Sequence, residues 1–204
     1  MSKVKPMFEI EKKFILTDEQ EKRLTEGAEF LGEKTFTDIY FDTAEYALTK
    51  NDIWLRSREG AFEVKLPMRK NSFGGTNQYN EIDGEEKIRQ VFGIVPEKSF
   101  LEDIRSFGYA PFCQFKTTRK KYRKGKFTID LDDVDFGDFR YSLAEIELMV
   151  TEEKGIPSAN EEILKFAKSL DLKIENVRGK GTEYLLRKKP EHYRALVEAG
   201  VVIE

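Results

Sequence analysis

The feature that most constrains the fold is an alternation of charged and apolar residues in several short stretches of the chain. In the stretch FEIEKKF, residues 8–14, Glu9, Glu11 and Lys13 share one parity, whereas the phenylalanines and the isoleucine share the other. Successive side chains point to opposite faces of a β-strand. The stretch therefore predicts a strand with one apolar face and one charged face.

The same alternation recurs in later stretches. Like charges repeat at a spacing of two residues in four places, 9/11, 56/58, 130/132 and 145/147. Such neighbours repel one another, so stability alone does not favour the pattern. The later charged positions are Arg56 and Arg58 on the parity of Trp54, Glu63 and Lys65, Glu81 on the parity of Tyr79, Arg119, Asp130 and Asp132, and Glu145 and Glu147.

The order of elements along the chain predicts an α+β fold in one domain that spans residues 1–204. About eight strands, mostly joined by hairpins, form an antiparallel sheet that is either a sandwich or a barrel. The strands are expected at 7–16, 34–43, 53–59, 62–67 and 79–83, as a pair within 113–137 around Lys124-Gly125, and at 140–150. Helices are expected from Thr17 or Asp18 to Gly27 or Gly32, at 84–92, 97–107 and 158–170, and from about 182 to 198, with a loop at 72–78.

A closed barrel of eight strands gives the charged faces a common location. The apolar faces would point outward under the helices, and the charged faces would line the interior. Burying these charges dry costs several kcal/mol per ion, so the interior must hold water, ions or a charged ligand. Clustered carboxylates suit Mg²⁺, and clustered Arg and Lys suit a phosphate chain. Together they predict a metal–polyphosphate site.

Other residue counts exclude several classes of protein. The single histidine, His192, leaves no room for a multi-histidine zinc site, and a packing or surface role is expected for it. The single cysteine, Cys113, lies among apolar neighbours and is expected to be a core thiol in a reducing compartment. The net charge of −3 does not indicate a general attraction to nucleic acid or to a membrane. We therefore expect a soluble cytoplasmic protein, acting as a monomer.

Seven motifs in this order resemble the CYTH superfamily, the triphosphate tunnel metalloenzymes. They are EIEKK (9–13), WLRSRE, FEVKLP, TTRKKYR, IDLDDVDFG, AEIELMV and GKGTEYL, and they span residues 8 to 186. Within the superfamily, the chain is most similar to the thiamine triphosphatases. That similarity rests on TDIYFDT, on Trp54 just before the arginine pair, on YNEI and on the tail YLLRKKPEHYRALVEAG.

The resemblance implies an eight-stranded antiparallel tunnel in which Mg²⁺-dependent hydrolysis converts thiamine triphosphate to thiamine diphosphate and phosphate. It implies metal-facing carboxylates at Glu9, Glu11, Asp130, Glu145 and Glu147, with Asp132 as a further candidate. It implies triphosphate ligands at Lys13, Arg56, Arg58, Lys65, Arg119 and Lys180. Trp54 would stack on the thiazolium ring, with Tyr79 and Glu81 near the organic part. The base for the attacking water remains open between Glu145, Glu147 and a neutral Lys65.

Three alternatives stay open at this stage. The chain could be an inorganic triphosphatase or a class IV adenylyl cyclase of the same superfamily, or a non-catalytic module that binds polyphosphate. A binder would need the basic residues but not the acidic ones, so the acidic set favours an enzyme. The basic run RKKYRKGK (119–126) lies in a predicted hairpin and does not indicate a nucleic-acid module. The glycines on either side of Lys180 predict a flexible loop there.

Overall fold

The computed structural model describes residues 8–68 and 77–203. Within them the chain forms eight strands and six α-helices. The strands are β1 (Phe8–Phe14), β2 (Glu29–Asp42), β3 (Trp54–Arg58), β4 (Ala61–Pro67), β5 (Asn77–Asp83), β6 (Ala110–Lys124), β7 (Phe127–Asp135) and β8 (Arg140–Val150). The helices are α1 (Asp18–Thr25), α2 (Glu85–Phe92), α3 (Phe100–Ser106), α4 (Ile156–Ser169), α5 (Lys180–Lys188) and α6 (Pro190–Glu198).

The eight strands close into a barrel in the order β1-β5-β4-β3-β2-β6-β7-β8. Neighbouring strands run antiparallel, as in the pairs β1–β8, β3–β4 and β7–β8. The predicted α+β fold with an antiparallel barrel is therefore confirmed, and a sandwich is excluded. Of the loop predicted at 72–78, residues 72–76 lie outside the described residues, and the last two belong to β5.

The chain divides into two compact units. The first unit comprises the described residues of Met1–Thr35, Asn71–Asn80 and Thr117–Gly179. The second unit comprises those of Phe36–Lys70, Glu81–Lys116 and Lys180–Glu204. The interpretation of residues 1–204 as one domain remains a prediction.

In the first unit, helix α4 packs against β1 and β8. Ile10, Ile146 and Ile163 are fully buried, and the first two lie on the apolar parity of their strands. Burial of one such side chain contributes roughly 1.5–3 kcal/mol. The apolar parity therefore faces the helix, as predicted, and the charged parity of both strands points to the inner face of the barrel.

In the second unit, the apolar parity of β3 and β4 supports a separate core. Leu55 and Val64 are fully buried and cluster with Ile88 of α2 and Ile104 of α3. Helix α3 begins with a capping box, in which Ser99 and Glu102 bond reciprocally to the backbone. The predicted helices on either side of Pro96 are thus confirmed.

Helix α1 begins where the sequence predicts it but is followed by a much longer strand. Thr17 caps the helix and forms a capping box with Gln20. Gly27 adopts a φ of 69°, which favours glycine, and β2 begins at Glu29 rather than at residue 34. Pairing with β6 explains the early start, because Thr35 bonds Thr118 at 3.1 Å.

The flexible loop predicted around Lys180 is wrong. Lys180 is the first residue of α5, and its exposed fraction is only 6%. The single helix predicted from about 182 to 198 is two helices, α5 and α6, and Pro190 lies in the first turn of the second. Gly179 therefore ends the connection before α5, and Gly181 is the second residue of the helix.

Candidate functional site

Strand register in the first unit places carboxylates directly opposite one another. Glu11 of β1 pairs with Glu147 of β8, and Asp130 of β7 pairs with Glu145 of β8. Like charges in opposing positions of neighbouring strands are destabilising. Asp130 is fully buried, and Glu11 and Glu145 are 3% and 6% exposed. This unit therefore concentrates negative charge where water screens it poorly.

Two groups of oxygens have the spacing that a metal ion needs. One group is Glu9, Glu11 and Glu147, and the other is Asp130, Glu145 and Glu147. In each group the ligand atoms all lie within 4.8 Å of one another, and Glu147 belongs to both. An all-carboxylate donor set suits hard divalent cations such as Mg²⁺. The residues predicted as metal ligands are therefore brought together, and their chemistry fits the ion.

The pKa of Glu147 is raised because these carboxylates are buried and close together. Burial raises the pKa of Glu147 to about 8, and the negative charges of Asp130, Glu145 and Glu11 add to the effect. Burial likewise raises the pKa of Asp130, although Arg119 opposes the shift. Both pKa shifts have the same cause, because a buried carboxylate that loses its proton is repelled by the negative charges of its neighbours.

The cations of the first unit are engaged with this acidic group. Arg119 donates two bonds of 2.6 Å to Asp132 and one of 2.9 Å to Glu145, and it also contacts Asp130. Forked Arg–carboxylate pairs of this kind are among the stronger polar contacts. Arg119, predicted as a phosphate ligand, is thus bonded to carboxylates. Asp132 binds Arg119 and belongs to neither of the two metal-competent groups found among the described residues.

Lys13 and Tyr79 complete this part of the site. The Lys13 ammonium contacts Glu11 and lies 3.9 Å from Glu145. Burial opposes its charge, but Glu11 and Glu145 outweigh burial and hold the pKa of Lys13 above its ordinary value. Tyr79 of β5 is 7% exposed and pairs with Glu9 of β1. Both residues therefore lie beside the acidic group.

In the second unit, each of three predicted phosphate ligands has its own acidic partner. Arg58 donates bonds of 2.8 and 3.1 Å to the two carboxylate oxygens of Asp38. The Arg56 guanidinium lies 2.6 Å from Glu63. Lys65 contacts Glu81, which the sequence predicted to lie near the organic part of a substrate. Lys180 is the fourth predicted phosphate ligand of this unit, and its side chain is buried.

The acidity of Asp38 reflects the surrounding positive charge. Burial alone would raise its pKa, but the hydrogen bonds from Arg58 and the charges of Arg56 and Lys180 hold the pKa of Asp38 below its usual range. The Lys180 ammonium lies 5.9 Å from the centre of the Phe36 ring. Asp38 thus gathers three cations that the sequence assigned to phosphate binding.

Three residues with a part in this arrangement were given no role from the sequence, namely Asp38, Glu63 and Lys121, although Glu63 was placed on a charged strand face. Asp38 lies opposite Arg58 in the β2–β3 pair, and Glu63 lies opposite Arg56 in the β3–β4 pair. Lys121 bonds Asp130 at 2.9 Å. The signal for the first two was the hairpin register, which pairs their parity with the arginines.

Trp54 begins β3 on the parity of Arg56 and is partly exposed. Its indole Nε1 donates a 2.8 Å bond to Asp52, and Tyr40 meets it in a T-shaped contact with ring centres 6.0 Å apart. An aromatic face in this setting can attract a cation such as a thiazolium.

His192 and Cys113 have the packing roles that the sequence predicts. His192 is 2% exposed, bonds Thr49 at 2.6 Å and stacks on Tyr46. Cys113 is 3% exposed, and burial raises the pKa of its thiol. Across residues 8–68 and 77–203, no helix has the length and apolar character that crossing a membrane requires.

Comparison with known proteins gives consistent results. The CYTH domain family matches residues 7–179. A thiamine-triphosphatase of Homo sapiens is 30% identical over 212 residues, which cover 95% of this chain and 91% of that protein. A thiamine-triphosphatase of Macaca fascicularis is 30% identical over 209 residues, with the same coverage.

Solved structures share the fold. The PH1819 protein of Pyrococcus horikoshii OT3 has a TM-score of 0.62 at 24% identity, covering 89% of this chain and 99% of that one. HpAC1 of Hippeastrum, described as revealing a dominant triphosphatase activity, has a TM-score of 0.55 at 20% identity, covering 93% of this chain and 95% of that one. The family match covers most of the sequence, and two relatives are 30% identical over nearly its whole length, so this chain belongs to the CYTH domain family.

Proposed function

We propose that this protein is a Mg²⁺-dependent phosphoanhydride hydrolase that converts thiamine triphosphate to thiamine diphosphate and phosphate. The observation that carries the proposal is the pairing of buried carboxylates across neighbouring strands, Glu11 with Glu147 and Asp130 with Glu145. Such pairs are unfavourable without a cation. The names of the two curated relatives support thiamine triphosphate as the substrate.

The ion would be held by the carboxylates of the first unit, namely Glu9, Glu11, Asp130, Glu145 and Glu147. When bound, Mg²⁺ offsets the charge of phosphate oxygens and polarises them. The protein's own part is to supply cations at fixed positions. A forked guanidinium such as that of Arg58 matches two phosphate oxygens at once.

Phosphate binding requires an exchange of partners. Arg119, Arg56, Arg58 and Lys65 are all bonded to carboxylates in this structure. A triphosphate offers stronger acceptors and more negative charge than one carboxylate. We propose that the substrate takes over part of these contacts, while Asp38 and Asp132 keep the two guanidinium planes of Arg58 and Arg119 oriented.

The base for the attacking water is proposed among the same three residues. Glu145 and Glu147 belong to the acidic group. Lys65 contacts Glu81, so a role as a neutral amine requires that pair to break first. A carboxylate bonded to a cation, as Glu145 is to Arg119, stays ionised and has further acceptor lone pairs, so we favour Glu145 or Glu147.

Turnover of a panel of substrates tests this function. The pure protein is incubated with Mg²⁺ and, separately, with thiamine triphosphate, inorganic triphosphate and ATP, and phosphate and cyclic AMP are measured. We expect the highest kcat/KM for thiamine triphosphate. Faster phosphate release from inorganic triphosphate would assign an inorganic triphosphatase, and cyclic AMP would assign a cyclase. Binding of polyphosphate without turnover of any substrate would contradict an enzyme.

Location and oligomeric state are part of the same proposal. A buried single cysteine agrees with a reducing compartment, and we propose a cytoplasmic monomer. Size-exclusion chromatography with light scattering checks the second point, for which a mass near 23.8 kDa is expected.

A further inference from the structure

The indole of Trp54 is hydrogen-bonded at one end of its long axis and lies close to Gly181 at the other. At the five-membered ring, Nε1 donates a 2.8 Å hydrogen bond to Oδ1 of Asp52. At the six-membered ring, a Cβ placed on Gly181 would lie 3.0 Å from Cζ3, 3.6 Å from Cε3 and 3.8 Å from Cη2. The bond to Asp52 thus fixes one end of the rigid ring, and the missing side chain of Gly181 leaves room for the other end.

Asp52 is placed for this bond by the turn that precedes β3. It follows the short 3-10 helix Thr49–Asn51 and adopts φ 59° and ψ 25°, a left-handed conformation. Asp, Asn and Gly tolerate this conformation best. Its backbone N–H donates to the carbonyl of Thr49, which fixes the turn. The carboxylate then makes a charge-assisted bond to the indole two residues later.

The backbone does not require a glycine at position 181. Gly181 is the second residue of α5, and its φ lies outside the positive range that favours glycine. In a helix, glycine costs up to about 1 kcal/mol relative to alanine. The position is therefore constrained by space, because even one methyl group would crowd the edge of the Trp54 ring.

We propose that Asp52 and Gly181 are positioning residues that set the plane of the Trp54 ring and so select triphosphates that carry a flat cationic ring. This inference rests on the proposed function, since it concerns the organic end of the same substrate. A cation gains from an aromatic ring only when it lies over the face, within about 6 Å of its centre. A tilt of the indole therefore weakens recognition of the thiazolium and leaves the phosphate contacts intact.

The position of Gly181 also links the two ends of the substrate. Its neighbour Lys180 is buried and belongs to the cations around Asp38. The first turn of α5 thus supplies both a phosphate-directed cation and the space in which the edge of the indole lies.

The first test compares Gly181→Ala with Gly155→Ala. The added Cβ at position 155 would meet Val150 at 3.6 Å, an ordinary contact away from Trp54. For Gly181→Ala we expect kcat/KM for thiamine triphosphate to fall about tenfold, mainly through KM, and that for inorganic triphosphate to stay within about twofold. The control should match the wild type on both substrates. Equal losses on both substrates, or no loss, would overturn the inference.

The second test concerns the hydrogen bond. Asp52→Gly keeps the left-handed backbone accessible but removes the acceptor, whereas Asp52→Asn keeps an acceptor oxygen. We expect Asp52→Gly to lose selectivity for thiamine triphosphate and Asp52→Asn to restore most of it. If Asp52 only stabilises the turn, Asp52→Gly should lower the stability of the protein and reduce kcat/KM equally for thiamine triphosphate and inorganic triphosphate. That result would contradict the proposal.

Fluorescence gives a readout that does not depend on turnover, because Trp54 is the only tryptophan of the chain. Gly181→Ala and Asp52→Gly should shift its emission maximum to the red and increase quenching by acrylamide, whereas Gly155→Ala should not. If the emission shifts but the wild type does not hydrolyse thiamine triphosphate, the proposed function is wrong while the ring contacts stand. If Trp54→Ala abolishes selectivity and both positioning variants keep it, the inference is wrong and the function stands.

Discussion

The two units of the chain treat buried charge in opposite ways. In the first unit, Glu11 faces Glu147 and Asp130 faces Glu145, so like charges stand against each other. In the second unit, Arg58 has its own carboxylate, Asp38, as its cross-strand partner. In the first arrangement, several crowded carboxylates share the cations Lys13, Arg119 and Lys121. In the second, the Arg58 guanidinium is matched by a carboxylate of its own.

This difference has an energetic consequence. Removing one member of a like-charge pair relieves repulsion, but removing one member of a buried ion pair leaves the other uncompensated. The same kind of substitution, carboxylate to amide, should therefore have opposite effects on the free energy of unfolding at Glu147 and at Asp38. Function should respond differently as well, since the first unit supplies metal ligands and the second supplies cations.

The largest expected effect is on turnover by Glu147→Gln. Glu147 is shared by both metal-competent groups, so we expect a loss of Mg²⁺-dependent activity of at least about 100-fold. The fold should be retained, because the substitution removes a crowded charge. Steady-state kinetics and circular dichroism check this, with Glu161→Gln on the exposed side of α4 as the control. Activity within a few-fold of normal would remove Glu147 from the metal site.

The next effect is stabilisation by Mg²⁺ itself. At a concentration 100 times its dissociation constant, the ion should raise the free energy of unfolding by about 2.7 kcal/mol. Thermal unfolding with and without Mg²⁺, followed by chelation, measures this shift. It should shrink in Glu147→Gln and persist in Arg56→Gln, whose side chain belongs to the second unit. A loss of the shift in both variants would break the contrast between the units.

A smaller effect is expected for Asp38→Asn. Asp38 is fully buried and bonds Arg58 through both oxygens, while Arg58 is partly exposed. Solvent screens the guanidinium in part, so we expect a loss of about 2 kcal/mol in the free energy of unfolding. Asp133→Asn, which breaks an exposed pair with Arg140, should cost less than about 0.5 kcal/mol. Urea denaturation compares the two, and equal costs would contradict the assigned role of burial.

The smallest effect is a pH dependence of the second unit. Burial lowers the pKa of His192 to about 4, although Asp42 opposes the shift and Lys189 and Lys50 add to it. In the unfolded chain, His192 therefore binds a proton near pH 6.5, whereas in the folded chain it does so only near pH 4. The contribution of neutral His192 to the free energy of unfolding is complete above about pH 6.5 and is lost as the pH falls toward about 4. Between about pH 7.5 and 5.5, we expect a loss of about 1 kcal/mol that His192→Gln lacks.

Parallel unfolding curves of the wild type and His192→Gln over this pH range check the point. If the variant loses stability as steeply as the wild type, other groups are responsible. The chain has one histidine, so the difference between the two proteins reports on a single site.

Elements with a strong local pattern have the bounds that the sequence predicts, and elements with a weak pattern do not. Strand β8 begins at Arg140 and ends at Val150 as predicted, because charged and apolar residues alternate clearly at its centre, AEIEL. Strand β2 was predicted too short. Residues 29–35 have weak alternation, and β6 recruits them through contacts such as Arg123 with Glu29. Local preference cannot report such a distant partner.

The candidate site shows the same limit. The carboxylates of β1, β7 and β8 were identified from parity, and the structure gathers them into two groups. The ion-pair partners Asp38 and Glu63 were missed, because parity states which face a residue occupies but not which residue lies opposite. Gly181 was interpreted as part of a flexible loop, because a glycine has no side chain whose contacts the sequence could suggest.

By itself, the sequence determined the charged and apolar faces of the strands, the antiparallel order and the need for cations among the acids, because these follow from a period of two and from Coulomb repulsion. Only the tertiary structure decided barrel closure, the register that sets Glu11 against Glu147, and the contact of Gly181 with Trp54. These depend on pairs of residues far apart in the chain, whose meeting is fixed by the packing of the whole fold.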